Sequence, residues 1–173
     1  MLGSVLISRK QIRECVDRLA SDIERDLGDS RPVFIGVLKG CVYFFTDLTR
    51  AIDAPLEVDF IQVSSYGAST TSSGTVTLVK DITVNIRDRD VYIVEDIVDT
   101  GLTLADLLSL LRARHPRSLK IVSLFSKPAR RKVEIEIDHL GMEIEDRFVV
   151  GYGLDFDQQY RNLPEVREFV ADD

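Results

Sequence analysis

The sequence predicts an α/β fold with a mostly parallel central sheet flanked by helices, and three observations lead there. Strand-like and helix-like segments alternate along the middle of the chain, the pattern that βα units produce. Val33-Phe34-Ile35-Gly36-Val37-Leu38, Val91-Tyr92-Ile93-Val94 and Ile121-Val122-Ser123-Leu124-Phe125 are short apolar runs of the kind that form buried strands. The length of 173 residues, with 45% hydrophobic and 29% charged, suits a single domain spanning residues 1–173. A chain of this size buries roughly 70% of its unfolded surface, so its core needs no disulfide or metal to hold it.

In order along the chain, Ser8 and Gln11 form a capping box. Ile12, Val16, Leu19, Ile23 and Leu27 follow at spacings of three and four, predicting a helix that Gly28 stops. After the strand at Val33–Leu38, the Lys39-Gly40 turn leads into a shorter helix over about Val42–Ala51, closed before Pro55. Leu56 to Phe60 alternates with period two, as a half-exposed strand does. Ser64 to Gly74 is a Ser/Thr/Gly-rich loop, readable either as a lid or as a hairpin tip. Thr75 to Val79 reads as a strand, Asp88-Arg89-Asp90 as a turn, and Val91 to Val94 as a central strand. A helix carrying Leu104, Leu107, Leu108 and Leu111 on one face ends near His115-Pro116. Beyond Ile121–Phe125, the alternation of Val133 to Ile137 predicts another strand, and Phe148 to Gly151 the last one.

Charge narrows the function. A net charge of −7 argues against general nucleic-acid binding, whose affinity comes from Lys and Arg on phosphates. Apolar runs such as Val42 to Phe45 fall far short of the ~20 residues of a membrane span. The first residues hold neither a basic leader nor a signal-like apolar stretch, so a cytoplasmic protein is expected. Cys15 and Cys41 have no metal or disulfide spacing, and Cys15 falls on the apolar helix face as a buried thiol. His115 and His139 are expected at the surface.

The chemistry concentrates between Glu95 and Thr103. Ligands of parallel sheets collect beyond the carboxyl ends of the strands, where this segment lies. Glu95 and Asp96 leave the strand side by side, suited to two neighbouring oxygens of vicinal hydroxyls or a hydrated cation. Asp99-Thr100-Gly101-Leu102-Thr103 enters the next helix, where free N–H groups, the dipole and two hydroxyls make a phosphate cradle. Taken singly, Asp99 or Thr100 is also an ordinary helix cap. No Gly-x-Gly-x-x-Gly and no Gly-Lys-Ser/Thr occurs, which excludes the dinucleotide and P-loop explanations of the segment.

The stretch Val91 to Thr103 resembles the phosphoribosyl pyrophosphate (PRPP) motif of type I phosphoribosyltransferases. Its form Glu-Asp-Ile-Val-Asp-Thr-Gly is similar to the hypoxanthine-guanine branch. Leu38-Lys39-Gly40, Ser64-Ser65-Tyr66-Gly67, Lys127, Phe148-Val149 and Asp155 to Arg161 extend the likeness in order over nearly the whole chain. The resemblance implies a small hood built from the chain ends, a flexible lid loop, and a homodimer or homotetramer. It implies that Glu95 and Asp96 hold the ribose hydroxyls, directly or through Mg2+, with Asp155 as a further metal-side carboxylate. It gives the turn Asp99, Thr100, Gly101, Leu102 and Thr103 to the 5-phosphate, and makes Asp99 the general base toward the purine.

Pyrophosphate falls by the same resemblance to Lys39 and Gly40, after a cis peptide bond, and to Ser65 and Tyr66 of the lid, Arg161 and Arg131. Arg130, adjacent to Arg131, is an equal candidate. Read alone, Lys39 is also a solvated lysine in a turn. The purine falls to Lys127, donating to a 6-oxo group, to Phe148 by stacking, and to Val149 and Asp155. Read alone, a Phe beside a Val-Val strand, as Phe148 is, is more often a core residue. The implied reaction is purine salvage: hypoxanthine or guanine plus PRPP gives IMP or GMP plus pyrophosphate. Rival readings are transfer to another base, such as xanthine or uracil, and a nucleotide-binding regulator. Lys127 and Phe148 argue against a pyrimidine, and the acidic charge with Asp99 in place argues against the regulator.

Overall fold

A computed structural model describes residues 1–64 and 77–170. In chain order the elements are β1 (Leu2–Ile7), α1 (Arg9–Leu27), β2 (Val33–Leu38), α2 (Val42–Ala51), β3 (Glu57–Ser64) and β4 (Thr77–Lys80). There follow β5 (Asp90–Val98), α3 (Leu102–Arg112), β6 (Ser118–Ser126), β7 (His139–Glu143), β8 (Val149–Val150) and β9 (Val166–Phe169). Six strands form the main sheet in the order β4-β3-β2-β5-β6-β7, parallel except for the β3–β4 pair. The order turns outward on either side of β2 and β5, and the site described below opens at the carboxyl ends of these two strands.

Alternation along the buried strands feeds two cores. Phe34, Tyr92 and Val122 point to one face, against Leu19, Ile23, Phe44 and Leu48 of α1 and α2. Their neighbours Ile35, Ile93 and Ile121 point to the other, against Leu104, Leu107, Leu108 and Leu111 of α3. Each such aliphatic side chain contributes roughly 1.5–3 kcal/mol by its burial. The Ser8–Gln11 capping box and the Gly28 stop of α1 are both present, and Cys15 lies buried as expected.

Where the structure departs from the sequence reading, tertiary contacts decide. Val133 to Ile137 forms no strand. The Ile121 N–H that a longer β7 would engage is instead taken by the Asp138 carboxylate at 2.7 Å, and pairing with β6 starts only at His139. Ile135 and Ile137 still pack against the α3-side core, which explains the alternation. His139 is accordingly a nearly buried strand residue, with Nε2 3.2 Å from Asp26 Oδ2. Lys120 and the Tyr92 hydroxyl bond to the same Asp26 oxygen and, with Lys120 foremost, hold its carboxyl below the usual range. β5 continues through Glu95 and Asp96 to Val98, so these acids sit within the strand rather than beyond it. Phe148–Gly151 contributes only β8, which is not the last strand: it joins β9 and β1 in a separate antiparallel sheet built from both chain ends. Thr75 and Val76 of the strand expected over Thr75–Val79, and all but the first residue of the loop expected over Ser64–Gly74, including Ser65 and Tyr66, lie outside the described residues.

Asp59 on β3 fastens the segment that crosses to β5. Its carboxylate accepts from the N–H groups of Phe60, Thr83 and Val84 at 2.7, 2.6 and 3.0 Å and from the Thr83 hydroxyl. Burial raises its pKa, but these bonds to the charged form outweigh burial and bring it down to about 2 from 3.8. A depressed carboxyl stabilises the fold above its unfolded pKa, and the contribution is lost as pH falls through the folded value. Asp59→Asn should therefore cost about 2 kcal/mol near neutrality. Urea unfolding from pH 7 downward should show the gap to wild type closing between pH ~4 and ~2.

Candidate active site

β5 delivers its last residues into a tight turn at the start of α3. Gly101 takes φ 82 there, and a Cβ at this position would meet Val133, Ile135 and Arg131 side chains at 2.9–3.2 Å. Gly101 offers α3 no side-chain cap, so the helix start keeps its dipole and most of the free N–H groups that suit an anion. Thr100 Oγ1 reaches only the Leu102 N–H, at 3.4 Å, and the first helical bond runs from Ala105 N to Gly101 O.

The turn is braced from the β6 side. Lys127 N donates to Val98 O at 3.0 Å and Lys132 N to Thr100 O at 2.9 Å. Arg131 donates to Asp99 O, Val98 O and Ser126 Oγ at 3.1, 3.4 and 2.8 Å. Arg131 thus braces the β5–α3 turn through Nε and Nη2, and among the described residues it makes no contact with Lys39 or Arg161, with which the resemblance groups it. Arg130, the alternative candidate, lies between Asp99 and Asp146 and pairs with both.

Asp99 projects from this rigid backbone. Its Oδ1 is buried and accepts no hydrogen bond among the described residues; Arg130 Nε sits 3.1 Å away but is poorly aligned for one. Asp99 is thus paired in charge with Arg130 while the hydrogen-bonding capacity of its Oδ1 stays unused among the described residues.

Lys127 is 5% exposed, and its ammonium donates to Arg147 O at 2.6 Å. Burial lowers its pKa, while Asp99 and Asp146 act in the opposite direction. One of its three donors is engaged by Arg147 O. Beside it, Phe148 is 51% exposed and so is not the core residue that composition alone allowed. The edges of Phe156 and Phe169 hold its ring, each with centroids 5.9 Å away, leaving an open aromatic surface. Val149 is buried in β8 opposite Glu168. Lys127→Ala should raise the KM for a carbonyl-bearing base about tenfold or more, as loss of a hydrogen bond from a charged group does. Steady-state kinetics showing a change confined to the phosphate substrate would overturn that placement.

The third part of the site lies at the end of β2. The Leu38–Lys39 bond is cis. Gly40 is clamped: a Cβ there would fall 1.8 Å from Asp96 Oδ2, while a Cβ at Gly153 would fall 1.9 Å from Gly40 O. Arg161 reaches into the same corner, donating to Gly153 O at 2.7 Å and pairing with Asp155 Oδ1 at 2.8 Å. Lys39 and Arg161 both donate to the side-chain oxygen of Gln158, a residue the sequence reading passed over. The glycine pair around Tyr152 was an available signal for this close approach, since Gly151 and Gly153 both have positive φ.

Glu95 and Asp96 are partly buried, and burial pushes both carboxyls up, Asp96 to about 6 and Glu95 well above its ordinary value with added repulsion from Asp96. Burial, Glu95 and Asp96 also push the Cys41 thiol well up, leaving it inert. Asp155 does not complete a three-acid metal set with them: among the described residues no such cluster exists, and Asp155 is engaged by Arg161 and the Gln158 N–H. Two crowded carboxylates nevertheless fit Mg2+, which takes one or two protein carboxylates and fills its octahedron with water and substrate oxygens.

A family model for the phosphoribosyl transferase domain matches residues 8–157. The chain belongs to the phosphoribosyltransferase family. It is 49% identical to the hypoxanthine-guanine phosphoribosyltransferase of Bacillus subtilis over 94% of this chain and 91% of that one. Against the enzyme of the same name from Mycobacterium avium it is 47% identical, over 94% and 83% of the two chains. A crystal structure of a hypoxanthine-guanine phosphoribosyltransferase from Bacillus anthracis superposes with TM-score 0.94 at 45% identity, covering 98% of this chain and all of that one. The α3 turn, the Lys39 turn and Lys127 stand at the carboxyl ends of β5, β2 and β6, with Phe148 just before β8.

Proposed function

We propose that this chain is a purine salvage enzyme that transfers the 5-phosphoribosyl group from PRPP to hypoxanthine or guanine, giving IMP or GMP and pyrophosphate. The observation that carries the reading is the base side of the site. A buried ammonium at Lys127, an open Phe148 ring and the Asp99 carboxylate, ion-paired with Arg130 but with Oδ1 accepting no hydrogen bond among the described residues, suit a flat bicyclic ligand with a carbonyl at one end and a ring N–H at the other. Lys127 favours a 6-oxo group over an amino group, because a donor facing a donor leaves both unsatisfied. Every relative described above carries the hypoxanthine-guanine name.

In this reading the N–H groups of the α3 turn, with Thr100 and Thr103, hold the 5-phosphate, and Glu95 and Asp96 hold the ribose side. Phe148 and Lys127 set the purine so that a ring nitrogen faces the anomeric carbon. As the new C–N bond forms, the bond from that carbon to pyrophosphate breaks, and Asp99 accepts the proton from the imidazole ring. The neighbouring carboxylates stabilise positive charge developing on the ribose. Glu95 and Asp96 would hold Mg2+, which would supply neutralisation of the pyrophosphate charge. Lys39 and Arg161 receive the leaving group. Assembly as a homodimer or homotetramer in the cytoplasm belongs to the same proposal, with light scattering as its check.

The test is formation of IMP from hypoxanthine and PRPP with Mg2+; absence of turnover with hypoxanthine, guanine or any other base overturns the reading. Chelation with excess EDTA should abolish turnover, and added Mg2+ should restore it. The test bears on Glu95 and Asp96, whose carboxyls burial already holds up and whose ionised forms a bound cation would favour.

A further inference from the structure

Lys39 and Arg161 come from opposite ends of the chain and carry donors only. Both turn to one atom. Gln158 Oε1 lies 3.2 Å from Lys39 Nζ and 3.3 Å from Arg161 Nη2. For Lys39 this is the sole polar side-chain contact among the described residues. Arg161 is otherwise fixed by Gly153 O and Asp155, so the nitrogen turned to Gln158 is held in place. Gln158 is fixed from behind in turn: its N–H donates to Asp155 Oδ2 at 2.8 Å, and its φ of 63 lies in the left-handed region. A single oxygen bridging an ammonium and a guanidinium is the arrangement a phosphoryl oxygen adopts. Here that oxygen belongs to a neutral, exposed carboxamide, at distances long for bonds to charged donors.

Resting on the function proposed above, we propose that Gln158 is a gate on the pyrophosphate subsite. Its carboxamide oxygen occupies the Lys39–Arg161 pair in the free enzyme, leaves when the pyrophosphate end of PRPP enters, and returns as pyrophosphate departs. A charged phosphoryl oxygen bonds to the two cations roughly twice as strongly as a neutral carbonyl, so the exchange is favourable. The carboxamide still competes, which weakens apparent PRPP affinity by the fraction of enzyme in the closed arrangement. Its return replaces the contacts that pyrophosphate gives up, so it shortens the residence of the product.

The experiment compares wild type with Gln158→Ala and Gln158→Glu, reading kcat, KM for PRPP, KM for hypoxanthine and the inhibition constant of inorganic pyrophosphate, all with MgCl2. The alanine variant should lower both the PRPP KM and the pyrophosphate inhibition constant about threefold, leaving the hypoxanthine KM unchanged. The glutamate variant should raise the PRPP KM tenfold or more, because a carboxylate pairs with both cations. Opposite directions are the signature, since a merely structural role would raise the PRPP KM in both variants. A rise in both, or changes under twofold in both, overturns the gate. Calorimetric titration of the three proteins with magnesium pyrophosphate makes the same comparison without turnover. A wild-type protein inactive on every base therefore overturns the function reading separately from the gate.

Discussion

Asp99→Asn should lower kcat by roughly 10²–10⁴-fold, the range that a positioned general base contributes, while the KM for PRPP stays within a few fold. The geometry makes the substitution clean. The backbone of residues 98–100 is held by Lys127, Arg131 and Lys132 through Val98 O, Asp99 O and Thr100 O, none of which involves the Asp99 carboxylate. Asparagine is close in size, so the phosphate turn should survive intact. What changes is the carboxylate whose Oδ1 accepts no hydrogen bond among the described residues and pairs with Arg130: it becomes an amide, which cannot serve as a base. Arg130 keeps Asp146 as a partner at 3.6 Å, so the loop after β6 is not set free. Steady-state kinetics with a melting curve on the same sample read the result. Near wild-type turnover would remove Asp99 as the base.

Gly153→Ala should be the most damaging small change outside the catalytic turn. The new methyl would lie 1.9 Å from Gly40 O, a backbone atom that cannot swing aside, at a residue whose φ of 102 suits glycine alone. The backbone conformation by itself costs roughly 1–3 kcal/mol. Relief requires moving the Lys39–Gly40 turn, but that turn is blocked on its other side by Asp96, 1.8 Å from where a Gly40 Cβ would stand. Displacement therefore reaches the pyrophosphate corner and the ribose-side acid together. The PRPP KM should rise tenfold or more and the melting temperature fall by several degrees, about 2–4 °C for each kcal/mol lost at this size. A folded variant with unchanged PRPP KM would show that the turn does not carry pyrophosphate.

Much of this was legible in the chain because it is local. The capping box of Ser8 and Gln11, the apolar faces of α1 and α3 and the strand runs at Val33, Val91 and Ile121 depend on periodicity within a few residues. So does the Asp99 to Thr103 turn, whose acid, hydroxyls and glycine must adjoin one strand end and one helix start.

Contacts between distant segments were not legible. Val133 to Ile137 alternates like a strand because its isoleucines pack on a core, and only the Asp138 carboxylate at Ile121 N shows that no ladder forms there. His139 is polar by type and nearly buried by place, since Asp26 lies across from it. The pairing of β1 with β9 joins residues at opposite ends of the chain, for which no pattern in either segment calls. Arg131 and Gln158 have side chains that suit several roles, and their neighbours alone select one: Ser126 and the backbone of the phosphate turn for Arg131, Lys39 and Arg161 for Gln158. The sequence by itself determined the α/β elements and the chemical types gathered around the β5–α3 turn, because hydrophobic period and turn chemistry act over a few residues. Which donors face an acceptor and which acids remain free was decided only by the tertiary structure, because hydrogen bonding and charge act over a few ångströms, irrespective of separation along the chain.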